Sequence, residues 1–277
     1  MSNDLAVVLQ QAAIVTKGLD DDTKAVAGGM QNFRISIAGG TFRMIVNGKE
    51  QASIEDRSMG VIFVKMAHNP ARTYYEGAYK EGQKSSPVCW SSDSKTPDAE
   101  VQDPVSPTCA ACPNAIKGSG QGGTGTACRM SWRTAVVLPQ QLDGPVYQLV
   151  LPATSSFGEE ENGRWPFRPY VQMLANNNVS AGRVITKMEF DVNSSVPRLL
   201  FSPVSAVPAE SRDAVVRQSK TPAAENAIKL TVYKTDTPDE DNAPAQAVAE
   251  PVKRETRKAT AETAEDVSDI VKKWTKK

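Results

Sequence analysis

The chain has 277 residues, 40% of them hydrophobic, with 32 basic and 32 acidic side chains and a formal net charge of zero. That length suits one large domain or two small ones, and the charge balance lacks the global basic excess that announces a nucleic-acid binder, so any such binding has to come from a local patch. No run of 18 or more apolar residues occurs, which argues against a transmembrane helix.

The N-terminus, M-S-N-D-L-A-V-V-L-Q-Q, has no basic region followed by an apolar core. It does not read as a secretory signal, and a cytoplasmic protein with reduced thiols is expected. Residues 3–17 place Leu5, Val8, Leu9, Ala12, Ala13 and Val15 at helical spacing, with Asp4 in the first turn and Gly18 as the stop. From Asn32 the period becomes two. F-R-I-S-I, T-F-R-M-I-V and M-G-V-I-F-V-K-M, joined by Gly39-Gly40 and Asn47-Gly48 turns, predict an antiparallel meander with one face buried.

Residues 71–84 follow as A-R-T-Y-Y-E-G-A-Y-K-E-G-Q-K, three tyrosines interleaved with Arg72, Lys80 and Lys84. Beyond the cysteine segment, strands are expected over 132–138, 145–151, 183–192 and 197–204. R-P-Y-V-Q-M-L fits strand or helix. A short helix is expected around Asp213 to Gln218 and a last strand over A-I-K-L-T-V-Y-K, to Lys234.

From Thr235 the composition turns proline- and acid-rich, which predicts a disordered tail over 236–277. Val267, Ile270, Val271 and Trp274 could share one face of a short terminal helix, too short to be stable alone. The tail from Asp236 holds ten acids and eight bases, leaving 22 acids and 24 bases on residues 1–235.

All four cysteines fall in one stretch: Cys89, then Cys109 and Cys112 as C-A-A-C, then Cys128. In a reducing compartment such a cluster points to metal before disulfides. Two thiolates three residues apart can both reach one ion, and strand pairing would bring in the outer two. The expected cofactor is a zinc ion held by Cys89, Cys109, Cys112 and Cys128 in an insertion at about 85–133. Disulfides and unbound buried thiols are the alternatives. His68, the only histidine, near a strand end, reads as surface or core and not as a fifth candidate ligand. Four thiolates leave no open coordination position, so the site would be structural.

No catalytic constellation is present. A nucleophilic cysteine needs a partner base, and only His68 exists. The glycine run 118–125 lacks the Gly-Lys-Ser/Thr ending of a phosphate loop. What remains is binding. Cations that track phosphates, interleaved with aromatics that stack bases, form the footprint of single-stranded nucleic-acid recognition. The candidates are Arg34, Arg43, Lys65, Arg72, Tyr74, Tyr75, Tyr79, Lys80, Lys84, Trp90, Lys117, Arg129, Trp132 and Arg133.

At these residues the chain resembles a family of bacteriophage single-stranded-DNA-binding proteins. The stretches that carry the likeness are C-W-S-S-D-S-K-T-P-D-A, from Cys89; C-A-A-C-P-N-A-I-K-G-S-G-Q-G-G-T-G-T-A-C-R-M-S-W-R-T-A-V-V, from Cys109; and V-I-T-K-M-E-F-D-V-N-S-S-V-P-R-L-L-F-S-P-V, from Val184. Together they cover about a quarter of the chain. The resemblance implies an OB-fold-like antiparallel barrel over 1–235 that coats single-stranded DNA in replication or recombination, with a tail that recruits partner proteins. Zinc-containing helix-destabilising proteins of phages give a precedent for the metal, with a ligand set of one histidine and three cysteines that differs from the four cysteines here. Such tails often end in acids, whereas this chain ends K-K-W-T-K-K. The expectation is thus a mainly β, non-enzymatic, zinc-stabilised DNA-binding protein in the cytoplasm, a phage host's if of phage origin. The alternative is a structural or adaptor protein of a virion or transcription complex.

Overall fold

The computed structural model describes residue 23 and residues 32–76, 86–123 and 125–232. The expected helix at 3–17, the tail at 236–277 with its terminal helix, and Tyr79, Lys80 and Lys84 lie outside these residues. The protein is mainly β, as expected, with a curled half-barrel sheet and a few short helices.

The strands are β1 (Phe33–Ser36), β2 (Phe42–Val46), β3 (Lys49–Ile54), β4 (Ser58–Met66), β5 (Ala71–Tyr74), β6 (Cys89–Ser91), β7 (Cys128–Val137), β8 (Tyr147–Pro152), β9 (Val184–Phe190) and β10 (Leu199–Ala206). They form one sheet in the order β10-β9-β4-β7-β8-β1-β2-β3, with β5 paired to β7 and β6 to β5. Every pairing is antiparallel except that of β1 with β8. Register shifts at Met44/Ile45, Phe63/Lys65 and Pro203/Ser205 add local twist to the curl, and the last places Pro203 at a bulge of an edge strand, where its missing N–H is tolerated.

The meander stops one strand earlier than its sequence pattern suggests. Asn47 and Gly48 both have positive φ, 51° and 77°, and make the two-residue turn that closes β2 onto β3. The next strand, β4, does not pair with β3. It crosses to pair with β9 through Ser58–Val61 and with β7 through Ile62–Met66. Burial explains the choice. β3, K-E-Q-A-S-I, is exposed along nearly all its length and suits a sheet edge. Val61, Ile62 and Phe63 of β4 are buried on consecutive positions, so both faces of that strand need cover.

Phe63 enters a core with Ile35, Phe42, Leu149, Tyr170 and Phe201. Ile62 enters a second core with Ala135, Val137, Val207, Val215 and Ala224. Helices supply the cover. After a one-turn α1 (Ala153–Ser156), helix α2 (Phe167–Asn176) buries Phe167, Tyr170 and Leu174, which share one helical face. This settles R-P-Y-V-Q-M-L as helix. Pro169 falls in its first turn, where its missing N–H is harmless. Asn178, at φ 56°, ends it in a Schellman cap, with Val179 N–H donating to Leu174 O and Asn178 N–H to Ala175 O, each at 2.9 Å. The Phe167 ring packs 5.4 Å from Phe63 and 5.9 Å from Phe201, centroid to centroid.

The second core is closed by α3 (Arg212–Ser219), where a helix is expected, and α4 (Pro222–Ala227). The expected last strand is corrected here. Its first residue, Ala227, ends α4, and no strand follows through Val232. Thr221 caps α4 by accepting from Ala224 N–H at 3.2 Å, and Pro222 takes the first helical position. No helix among the described residues is long and apolar enough to cross a membrane.

Candidate metal centre and nucleic-acid interface

At one end of the sheet β5 lies between β6 and the start of β7. Tyr74 stands opposite Cys89 on one side and Cys128 on the other. Thr73 is opposite Trp90 and Arg129, and Arg72 is opposite Ser91 and Met130. Paired residues share a face, and so does every second residue along a strand. Cys89, Cys128, Tyr74 and Arg72 therefore share one face, and Thr73, Trp90 and Arg129 the other. A short strand that sequence reasoning read only as a basic aromatic run brings the two outermost cysteines together.

The inner pair comes from the loop after β6. Asp93 Oδ1 accepts from Lys95 N–H at 2.8 Å, Thr96 N–H at 3.3 Å and Ser91 Oγ–H at 3.1 Å. The Lys95 N–H chiefly, then that of Thr96, holds this carboxyl below its ordinary range. Asp98 accepts from the N–H and hydroxyl of Ser92, and Cys109 N–H donates to Lys95 O at 2.8 Å. Cys112 then opens a 3-10 turn, Pro113–Ala115, with Ala115 N–H returning to its carbonyl at 3.0 Å.

The glycine run is a built turn. Gly118 (φ 96°) and Gly120 both donate to Gly125 O, at 2.7 and 3.1 Å, and a Cβ on Gly120 would stand 3.2 Å from Gly125 C. Ser119 Oγ accepts from Ala127 N–H at 3.0 Å. These bonds return the chain to Cys128, a more ordered connection than glycine content alone suggests.

All four cysteines are free and buried. They line a common cavity of ≈ 10 Å³, room for about one water-sized atom, together with Arg72 and Tyr74. Burial raises the Cys89 thiol pKa, the Val105 backbone N–H opposes this, and Cys109 and Cys112 add to the rise. Burial pushes Cys128 up to about 11, against the Arg72 guanidinium beside it. Among the described residues no group of three or more His, Cys, Asp or Glu side chains is drawn close enough to hold a metal ion as it stands. The donor set nevertheless fits zinc in kind: four free sulfurs around one atom-sized cavity, with an N–H and a guanidinium directed at sulfur. His68 is exposed and does not line the cavity.

The nucleic-acid candidates separate into groups. Trp132 belongs to the core. Its indole N–H donates to Ala67 O at 2.7 Å and its ring packs on Phe157 and Phe167. Arg133 is 4% exposed and bonds Ser131 Oγ. Arg133 is buried, whereas Trp132 is half-buried like Trp90. Arg43 bonds Ala38 O and lies 3.6 Å from Glu50, and Lys65 pairs with Glu225. Arg34, half-buried on β1, stands opposite Ile45 and Gln148. Lys117 is exposed. Among the described residues, Arg72, Tyr74, Tyr75, Trp90 and Arg129 gather on β5, β6 and β7 at the cysteine end, all half-buried. Burial lowers the Arg129 pKa, and Tyr75 nearby works the other way.

Sequence reasoning missed the link between Arg72 and the thiols. The signal was present in the alternation, since Arg72 lies two residues before Tyr74 and so on its face. Comparison of the chain with protein-family models, curated proteins and solved structures finds no match in any of the three.

Proposed function

We propose that this is a non-enzymatic protein that binds single-stranded DNA with little sequence preference, its cysteine end pinned by a structural zinc ion. One observation carries the reading. Trp90 and Arg129, far apart in sequence, flank Thr73 on one face of β5–β6–β7, with Tyr75 beside Arg129. Two aromatics and a cation on one face suit unpaired bases, which stack on ring faces, and phosphates, which meet guanidinium. On the opposite face Cys89, Cys109, Cys112 and Cys128 would hold the ion. Zinc would fix the loop; the strands and the Asp93 and Asp98 turns set where Trp90 stands. The resemblance to phage single-stranded-DNA-binding proteins, and a role in replication or recombination, belong to the same proposal.

The test is a fluorescence titration of the full chain with oligo-dT at two salt concentrations, with a duplex of equal length as control. Binding should quench tryptophan, weaken as salt rises through counterion release, and favour the single strand. Trp90→Ala should cost about 1–3 kcal/mol of affinity, the usual loss of one base stack, whereas Trp132→Phe should leave affinity unchanged. Equal affinity for duplex, or a quench that survives without Trp90, would sink the assignment.

A further inference from the structure

A zinc ion with four thiolates is doubly negative, and burying it in a protein demands compensating donors or a cation. The cysteine cavity is built with a candidate for that task. Arg72 sits on the central strand of the three, on the cysteine face. It is diagonal to Cys89 across one strand pair and to Cys128 across the other, within reach for so long a side chain. It lines the same ≈ 10 Å³ cavity as the four sulfurs. Its Nε is the one buried side-chain nitrogen or oxygen among the described residues with no hydrogen-bond partner. A buried orphan donor is costly unless something accepts from it. The acceptors nearest in kind are thiolate sulfurs, which accept well only when ionised, as a metal makes them.

Resting on the zinc reading above, we infer that Arg72 is the charge-balancing and positioning residue of the metal centre, donating to its thiolates, rather than a phosphate contact. Arginine suits this role better than lysine. Its charge is spread over a plane with several fixed donors and is more weakly hydrated, so it is easier to bury against soft sulfur. The inference removes Arg72 from the DNA-contacting set and predicts that its loss acts on metal first.

The experiment uses the full chain, purified with zinc, as wild type, Arg72→Lys, Arg72→Gln and Cys112→Ser. Metal per chain is measured by elemental analysis, affinity by chelator competition, and the cobalt(II) form by its thiolate-to-metal absorption. Wild type should hold one metal ion. Arg72→Gln should bind it about 10–100-fold more weakly, the usual effect of losing an outer-shell partner, and release it at higher pH on acidification. Arg72→Lys should recover part of both losses, which a purely structural role for the side chain would not produce. Circular dichroism and a cooperative thermal melt report whether each variant is folded. If Arg72→Gln fails to fold, the Arg72→Lys comparison carries the test: affinity and release pH equal to wild type overturn the donor role. Metal bound equally by wild type and folded Arg72→Gln overturns the inference alone. No metal in wild type overturns the zinc reading and the inference with it.

Discussion

The centre of the sheet and its cysteine end are held by different forces. At the centre, β4, β7 and β8 carry apolar side chains on both faces, with α2 on one side and α3 and α4 on the other. Phe63, Phe167, Tyr170 and Phe201 are all 2% exposed or less and pack ring to ring. At the cysteine end the chain is held by turns: Asp93 and Asp98 bracing a loop, a single 3-10 turn after Cys112, and glycines bonded to Gly125. Among the described residues its buried apolar content is little more than Val101 and the thiols themselves. A region that buries so little hydrocarbon gains little from the hydrophobic effect and needs a cross-link to be rigid. If zinc cross-links that end as proposed, the core should survive loss of the cysteine site and the cysteine end should not survive loss of the ion.

The largest expected effect strikes the centre. Phe201→Ala removes a fully buried ring that meets Phe63, Phe167 and Tyr170. It should cost about 3–5 kcal/mol in chemical denaturation, with loss of signal from the whole domain. A loss under about 1 kcal/mol would mean that the core collapses around the gap and is less tightly packed than its ring contacts indicate.

Next is the cross-link. Cys112→Ser, or a chelator on the wild type, should remove hydrogen-exchange protection from residues 89–133 while β4, β8 and β9 stay protected, since local opening costs less than global unfolding. Equal loss across the sheet would show the two regions to be one cooperative unit.

Alkaline pH separates the regions in a different way. Burial raises the phenol pKa of Tyr170, with Thr186 opposing through a 2.7 Å hydrogen bond, and burial raises that of Tyr147. A raised folded-state pKa on an acid means that the folded chain keeps its proton longer than the unfolded one. The stabilising contribution is complete below the ordinary value of 10.0 and lost as pH rises through the folded-state value. Stability should therefore fall above pH 10, and Tyr170→Phe should flatten that fall. The same variant leaves the Thr186 hydroxyl without this partner, at about 1–3 kcal/mol. A slope unchanged in Tyr170→Phe would remove Tyr170 as its source. A zinc ion bound as proposed would respond oppositely, since protons displace a metal from thiolates as pH falls.

Sequence legibility follows the same division. The central strands were readable because β-branched and aromatic residues alternate there, and β4, β7, β8, β9 and β10 fall within a few residues of their expected spans. β3 was not, because K-E-Q-A-S has the composition of an exposed edge and stands in a strand only through its turn with β2. The crossing of β4 away from β3 was also hidden, since consecutive hairpin signals do not reveal which strand has both faces to bury. At the site the cysteines announced themselves by clustering, and the structure gathers them about one cavity. Composition alone did not show that Trp132 packs on Phe157 and Phe167 or that Arg133 is buried, because both depend on where β7 runs in the sheet.

The smallest expected effect tests whether the regions are independent. Thr221 caps α4; its hydroxyl donates to Gln218 O at 2.8 Å and accepts from Ala224 N–H. Thr221→Ala should cost about 1 kcal/mol, the usual loss of an N-cap. The loss should fall on the second core, because Ala224 and Ala227 of α4 pack there and Gln148 Nε2 donates to Ala227 O at 2.8 Å. If the cysteine end is held by its own cross-link, metal affinity in this variant should match wild type at temperatures where both are folded. A fall in metal affinity parallel to the fall in stability would mean that the core presses the β5–β6–β7 end into shape. The turns and thiols would then be secured by the sheet beneath them rather than by the proposed ion.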